Sequence, residues 1–158
     1  DKLAFPEYAK RLSLDFDKVG STIVEVGGKR NIIDFVDLAL SFDIPVALAF
    51  DIDSSDFQGK RTEEELFNEK LNHYVKRGAK VFSFDKNYEE ELRKFWGDGN
   101  YNSYCQKYEK ISKAVRARFF AIDGEIPIPD FVKPIINWTA NNEIKSEHID
   151  PLSQGDEW

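Results

Sequence analysis

Methionine is absent from all 158 residues, cysteine occurs once and histidine twice. The missing initiator, with a helical pattern starting directly behind Asp1, gives the expectation of a piece cut from a longer polypeptide. A single thiol, Cys105, excludes an internal disulfide and suits a reducing compartment, so the expected location is cytoplasmic. Neither His73 nor His148 has a Cys or His at metal-ligand spacing, which argues against zinc. No apolar run approaches the roughly 18 residues that a membrane span needs, and the opening residues are not a signal peptide. Positive charge is also short: 22 Lys and Arg stand against 29 Asp and Glu, a formal charge of −7. Such a chain cannot hold nucleic acid by net charge; it needs a local basic face, bound cations or a basic partner.

What is present is enough apolar material for a core, 41% of residues, with 13 Phe among them. Leu3–Leu14 has helical spacing, with Pro6 in the first turn. Thr22–Val26 is β-branched and reads as a strand, closed by Gly27-Gly28-Lys29. Ile32–Phe42 is helical. Val46–Phe50 is continuously apolar and reads as a central strand buried on both faces. Thr62 with Glu65 starts a helix that runs to about Arg77, where Gly78 stops it. Val81–Phe84 is a third strand, and Asn87 with Glu90 opens another helix. Gly97–Asn100 is a turn cluster; Ser103 with Gln106 caps a long helix through Phe120; Phe131–Ala140 is a last helix before a polar tail. Helices alternating with short buried strands predict an α/β fold, a mostly parallel sheet flanked by helices on both faces. Three strands make a thin sheet, and a fourth just before Asp1 would complete it.

The residues that suggest chemistry are acidic. Asp51-Ile52-Asp53 leaves the end of the apolar strand, where ligand sites of open parallel sheets lie. Residues two apart on a strand point the same way, so the pair can converge on one hard cation, with Asp56 near enough to join. The plainer alternative is a solvated strand exit. After the next strand come Asp85 and the run Glu89-Glu90-Glu91, from which spacing does not choose a ligand; an acidic first helical turn also simply suits the helix dipole. Lys107, Lys110, Lys113 and Arg116, three apart, form a basic row that fits either a nucleic-acid backbone or an ordinary solvated face. Gly27-Gly28-Lys29 lacks the P-loop spacing, so no ATP site is expected, though Lys29 is a candidate for a nucleic-acid phosphate. A phosphotransfer aspartate is disfavoured, because Ser54-Ser55 stands where a Gly-Thr turn would be needed.

Asp1 through Ala9, Val26 through Ile32, and Ile44-Pro45-Val46 through Phe50-Asp51-Ile52-Asp53 together resemble the Toprim nuclease half of the OLD-family ATP-dependent endonucleases. The resemblance spans about residues 1–120 and lies in order and spacing, not in the D-x-D alone. It implies that Asp1 matches the last residue of an opening Glu-Gly-x-x-Asp whose Glu falls before this chain. Asp51 and Asp53 match the metal-binding pair, and Asn87-Tyr88-Glu89 looks like the segment that supplies a further acid, which favours Glu89. Lys113 is similar to a late lysine near the site, with Ser112 in place of the usual glycine. The implied activity is Mg²⁺- or Mn²⁺-dependent hydrolysis of phosphodiester bonds in DNA (or RNA), with Asp1, Asp51, Asp53 and Glu89 as metal ligands. Catalysis then falls to Asp51, Asp53, Glu89 and Lys113, and nucleic-acid contact to Lys29, Lys107, Lys110 and Arg116. The implied context is an ABC-type ATPase domain in the same or a cleaved polypeptide, a homo-oligomer, and defence against foreign DNA. Without the opening Glu, either a preceding segment supplies it or the isolated piece is inactive. The alternative is a non-catalytic domain that docks an ATPase partner. The expected organisation is a Toprim-like part over 1–123, a helical extension over 124–142 and a tail over 143–158.

Overall fold

A computed structural model describes residues 2–52 and 62–141. The order is α1 (Phe5–Arg11), α2 (Ile32–Ser41), β1 (Ala47–Asp51), α3 (Glu63–Asn72), β2 (Lys80–Phe84), α4 (Tyr88–Trp96), α5 (Asp98–Lys107), α6 (Lys113–Ile122) and α7 (Lys133–Asn141). This is the expected α/β class. Among the described residues the sheet has two strands, paired in parallel with Ala47 opposite Lys80 and Asp51 opposite Phe84. No helix among these residues is long and apolar enough to cross a membrane.

Local sequence explains most boundaries. Thr62 caps α3 reciprocally: its hydroxyl accepts from the Glu65 N–H, and the Glu65 carboxylate accepts from the Thr62 N–H at 2.8 Å. Asn87 caps α4 by accepting from the Glu90 N–H at 2.9 Å. After α3 the chain tightens into a 3-10 turn, His73–Arg77, and Gly78 at φ 95° ends it in the left-handed region that glycine tolerates.

Four expectations need correction. Thr22–Val26 is not a strand. It joins no ladder among the described residues, Val24 is exposed, and the Val26 carbonyl accepts from the Asn31 side chain at 2.8 Å instead of from a neighbouring strand. β-branched residues favour a pleated surface, but a strand exists only where a ladder receives it. β1 is buried on one face only: Leu48 and Phe50 are covered and Ala49 is exposed. The Gly97–Asn100 cluster is a turn at its first residue only: Gly97, at φ 85°, separates α4 from α5, and Asp98–Asn100 is already helix. The long helix from Ser103 to Phe120 is two helices. Ser103 lies inside α5 and gives its hydroxyl to the Gly99 carbonyl, while Ser112 caps α6 through the Val115 N–H.

Two apolar cores follow. One lies against the sheet, where Leu48 and Phe50 of β1 meet Val36 of α2, Leu71 of α3, Tyr74 and Ala79. The other is aromatic and gathers both ends of the described chain: Phe5 and Tyr8 of α1, Phe84 at the end of β2, Tyr88, Phe120 and Ile136. Arg11 ties its two ends together, donating to the Ala121 carbonyl at 3.1 Å and the Ile126 carbonyl at 2.5 Å.

Candidate metal and nucleic-acid site

Asp51 closes β1 at the carboxyl end of the parallel pair, and the ladder continues one step further, with the Ile52 N–H donating to the Phe84 carbonyl at 2.9 Å. The apolar strand therefore delivers Asp51, half-buried, to the rim expected of it. Two more side chains hold the same stretch. Lys29 Nζ donates to the Asp51 carbonyl at 2.9 Å, and Asn68 Nδ2 donates to the Ile52 carbonyl at 2.5 Å. Asp1, Asp53 and Asp56 lie outside the described residues.

The Lys29 ammonium, expected as a candidate phosphate contact, lies at the end of β1. The side chain is only 13% exposed and the ammonium also meets Glu64 at 3.0 Å. The Lys29 ammonium in turn holds the Glu64 carboxyl below the usual glutamate range. The Gly27-Gly28 turn that aims it adopts φ of 69° and 142°, both in the region reserved for glycine.

The three consecutive glutamates separate by partner. Glu90 pairs with Arg93 and Glu91 with Lys94, each three residues on along their own helix. Asp85 is also taken by Lys94, at 3.2 Å. Among the described residues, Glu89 is the one of the three that pairs with a cation from another element, Lys113 at the start of α6, 3.7 Å away. Glu89 and Lys113 line a shallow cleft with Arg116, floored by Leu92, Tyr101 and Phe120. Burial there pushes the Tyr101 phenol up, with Cys105 as its neighbour, so the hydroxyl stays protonated. Lys107 and Lys110 do not continue this surface along one helix, because α5 ends at Lys107 and Lys110 stands in the connecting turn; the Lys107 ammonium lies 5.2 Å from the Tyr108 ring centre.

Carboxylate oxygens suit a hard divalent cation, so the chemistry of Asp51 fits one. Among the described residues, however, no three His, Cys, Asp or Glu side chains gather to hold a metal. Glu89 faces a lysine there rather than another acid. A metal shell would need more acids than the described residues bring together.

Asn68 and Glu64 escaped sequence reasoning. The signal was present for Asn68: it stands three residues before the fully buried Leu71, on the inward face of α3 whose phase Thr62 and Glu65 fix.

No curated protein and no solved structure matches the chain. One family does, over the N-terminal third. TOPRIM domains are metal-binding domains of the nuclease and nucleotidyl-transferase type, and the matched stretch ends on the second aspartate of the D-x-D. Residues 1–53 match the family model described as Overcoming lysogenization defect protein-like, TOPRIM domain, so this stretch of the chain is similar to OLD-like TOPRIM domains.

Proposed function

We propose that the chain is the nuclease part of a larger ATPase-coupled endonuclease, hydrolysing phosphodiester bonds in DNA with Mg²⁺ or Mn²⁺. The observation that carries this reading is Asp51 at the carboxyl end of a parallel strand, inside the stretch that matches the TOPRIM family model. Asp51 and Asp53 would hold the ion, with Asp1 and, once Lys113 releases it, Glu89 as further acids. The chemistry such an ion would supply when bound is a water of lowered pKa and charge stabilisation for the leaving oxygen. The chain's own cations do the rest. Lys113 neutralises charge growing on the phosphoryl group when it lets go of Glu89, and Arg116 beside it steadies the backbone phosphate. Lys107 and Lys110 extend the contact around the turn between α5 and α6. The ATPase partner, the homo-oligomer, the cytoplasmic setting and a role in antiviral defence belong to the same proposal.

Nicking of supercoiled plasmid by the full protein with Mn²⁺ tests it. Asp51→Ala and Asp53→Ala each abolish nicking with an unchanged circular-dichroism spectrum; undiminished nicking in both rejects the reading.

A second reading, a docking domain for an ATPase, draws on α2. Phe35, Leu38 and Phe42 form an exposed stripe at helical spacing, continued by Ile44, while the opposite face of α2 is packed on the sheet. Under that reading Asp51→Ala changes nothing, and Leu38→Asp releases the partner in a pull-down with the ATPase segment of the same polypeptide.

A further inference from the structure

Large apolar side chains scattered singly over a surface are ordinary, but two helices carry theirs as stripes. On α2, Phe35, Leu38 and Phe42 are 48%, 58% and 69% exposed, while Val36 on the far side is buried against the sheet. On α6, Val115 is half-buried and Phe119 and Ile122 are exposed, while Ala117, Phe120 and Ala121 fill the aromatic core from the opposite side. The two surfaces carry opposite charge. α2 has Asp34 and Asp37 and no Lys or Arg, and Asp43 follows its end. Asp37 is taken by Arg77, but Asp34 and Asp43 are exposed and meet no cation among the described residues. α6 has Lys113, Arg116 and Arg118 and no acid, with Lys110 exposed in the turn before it. Lys113 and Arg118 stay exposed beside their partners Glu89 and Glu7. Asp123, just past α6, accepts from the Glu125 N–H.

We propose that α2 of one copy of the chain docks antiparallel on α6 of a second copy. Both helices have ten residues, which makes each about 15 Å long. Read in opposite directions, their stripes have the same spacing: Phe42, Leu38 and Phe35 against Val115, Phe119 and Ile122, each stepping four residues and then three. Matched spacing lets the ridges of one helix enter the grooves of the other. The same orientation sets the carboxyl end of α2, with Asp43 and the negative end of the helix dipole, beside Lys110, Lys113 and the positive end of α6. Pairing α2 with α2 would instead oppose acid to acid, and α6 with α6 base to base. Because the stripes lie on different helices the contact is heterologous, and it closes at two copies when each gives one stripe and takes the other. The cleft that Arg116 and Phe120 line is on another side of α6 and stays open. This gives α2 a different occupant from the docking reading above. It gives the homo-oligomer of the nuclease reading a surface that needs neither metal nor cleavage.

Sedimentation velocity of the full chain, over a range of protein and salt concentrations, tests this. The expected result is reversible self-association that weakens as salt rises. Leu38→Asp and Ile122→Asp each weaken it by about 30-fold or more, with unchanged circular-dichroism spectra. Mixed with each other, the two variants form a one-to-one complex again, because each retains the stripe that the other has lost. A chain that stays monomeric at every concentration overturns the proposal. So does self-association that survives Ile122→Asp, which is what pairing of α2 with α2 would give, and so does a mixture of the two variants that stays monomeric. Should Ile122→Asp not fold, Phe119→Ser takes its place. The nuclease reading is decided separately, by nicking in the Asp51 variant, so the two fail independently.

Discussion

Glu7 shows what single residues contribute. Its side chain is only 12% exposed and accepts from Arg118 of α6, with Nη2 at 2.7 Å, and from Lys10 at 3.3 Å. Burial acts to raise its pKa, but the Arg118 and Lys10 hydrogen bonds outweigh it and hold the carboxyl below the ordinary 4.5. A depressed folded pKa contributes stability that is present above the unfolded value and lost as pH falls through the folded one. The urea midpoint is therefore expected to drop as pH is lowered below 4.5, and Glu7→Gln is expected to flatten that drop while lowering the midpoint at neutral pH. At this scale the sequence is legible where a residue acts through its neighbours in the chain and opaque where it acts across the fold. Asp51 was readable because the apolar run before it fixes where a strand ends. Lys29 was not, because nothing in Gly27-Gly28-Lys29 tells whether the ammonium faces water or a carbonyl 22 residues on.

The elements themselves were read best where a cap closes on itself. Thr62 and Glu65 announce α3 by spacing alone, and the structure forms both bonds. Thr62→Ala leaves the Glu65 N–H without its cap and is expected to cost about 1 kcal/mol, measured as a shift of the urea midpoint at constant slope. The same kind of pattern misled at Ser103 and Gln106. That serine is already inside α5, because Gly97 lets the chain restart a helix at Asp98, six residues before the Tyr104 ring that packs 5.3 Å from Phe120 of α6. A cap pattern states that a helix is permitted to begin; packing between helices decides where one ends. Thr22–Val26 failed for the complementary reason, since strand propensity is local and a strand's partner is not.

For the molecule as a whole, the alternation of helix and strand and the parallel pairing were legible, and the division into two cores was not. Phe120 holds the aromatic core at its centre, 1% exposed and edge-on to Trp96 at 5.1 Å. Phe120→Ala is expected to cost about 3–5 kcal/mol, read from chemical denaturation, and to loosen α1 and α7 before the sheet, read from regional hydrogen exchange. The approach of Glu89 to Lys113 also belongs to this scale: family resemblance pointed to both residues, but only the packing of α4 and α5 beside α6 brings them within 3.7 Å. The link from Arg11 to Ala121 and Ile126 has a practical corollary. The stretch that matches the family model cannot be handled by itself. A gene trimmed after Asp53 would yield a peptide whose opening helix has lost the residues 84–136 that cover its apolar side, and aggregation, not ion binding, is what such a truncation would report.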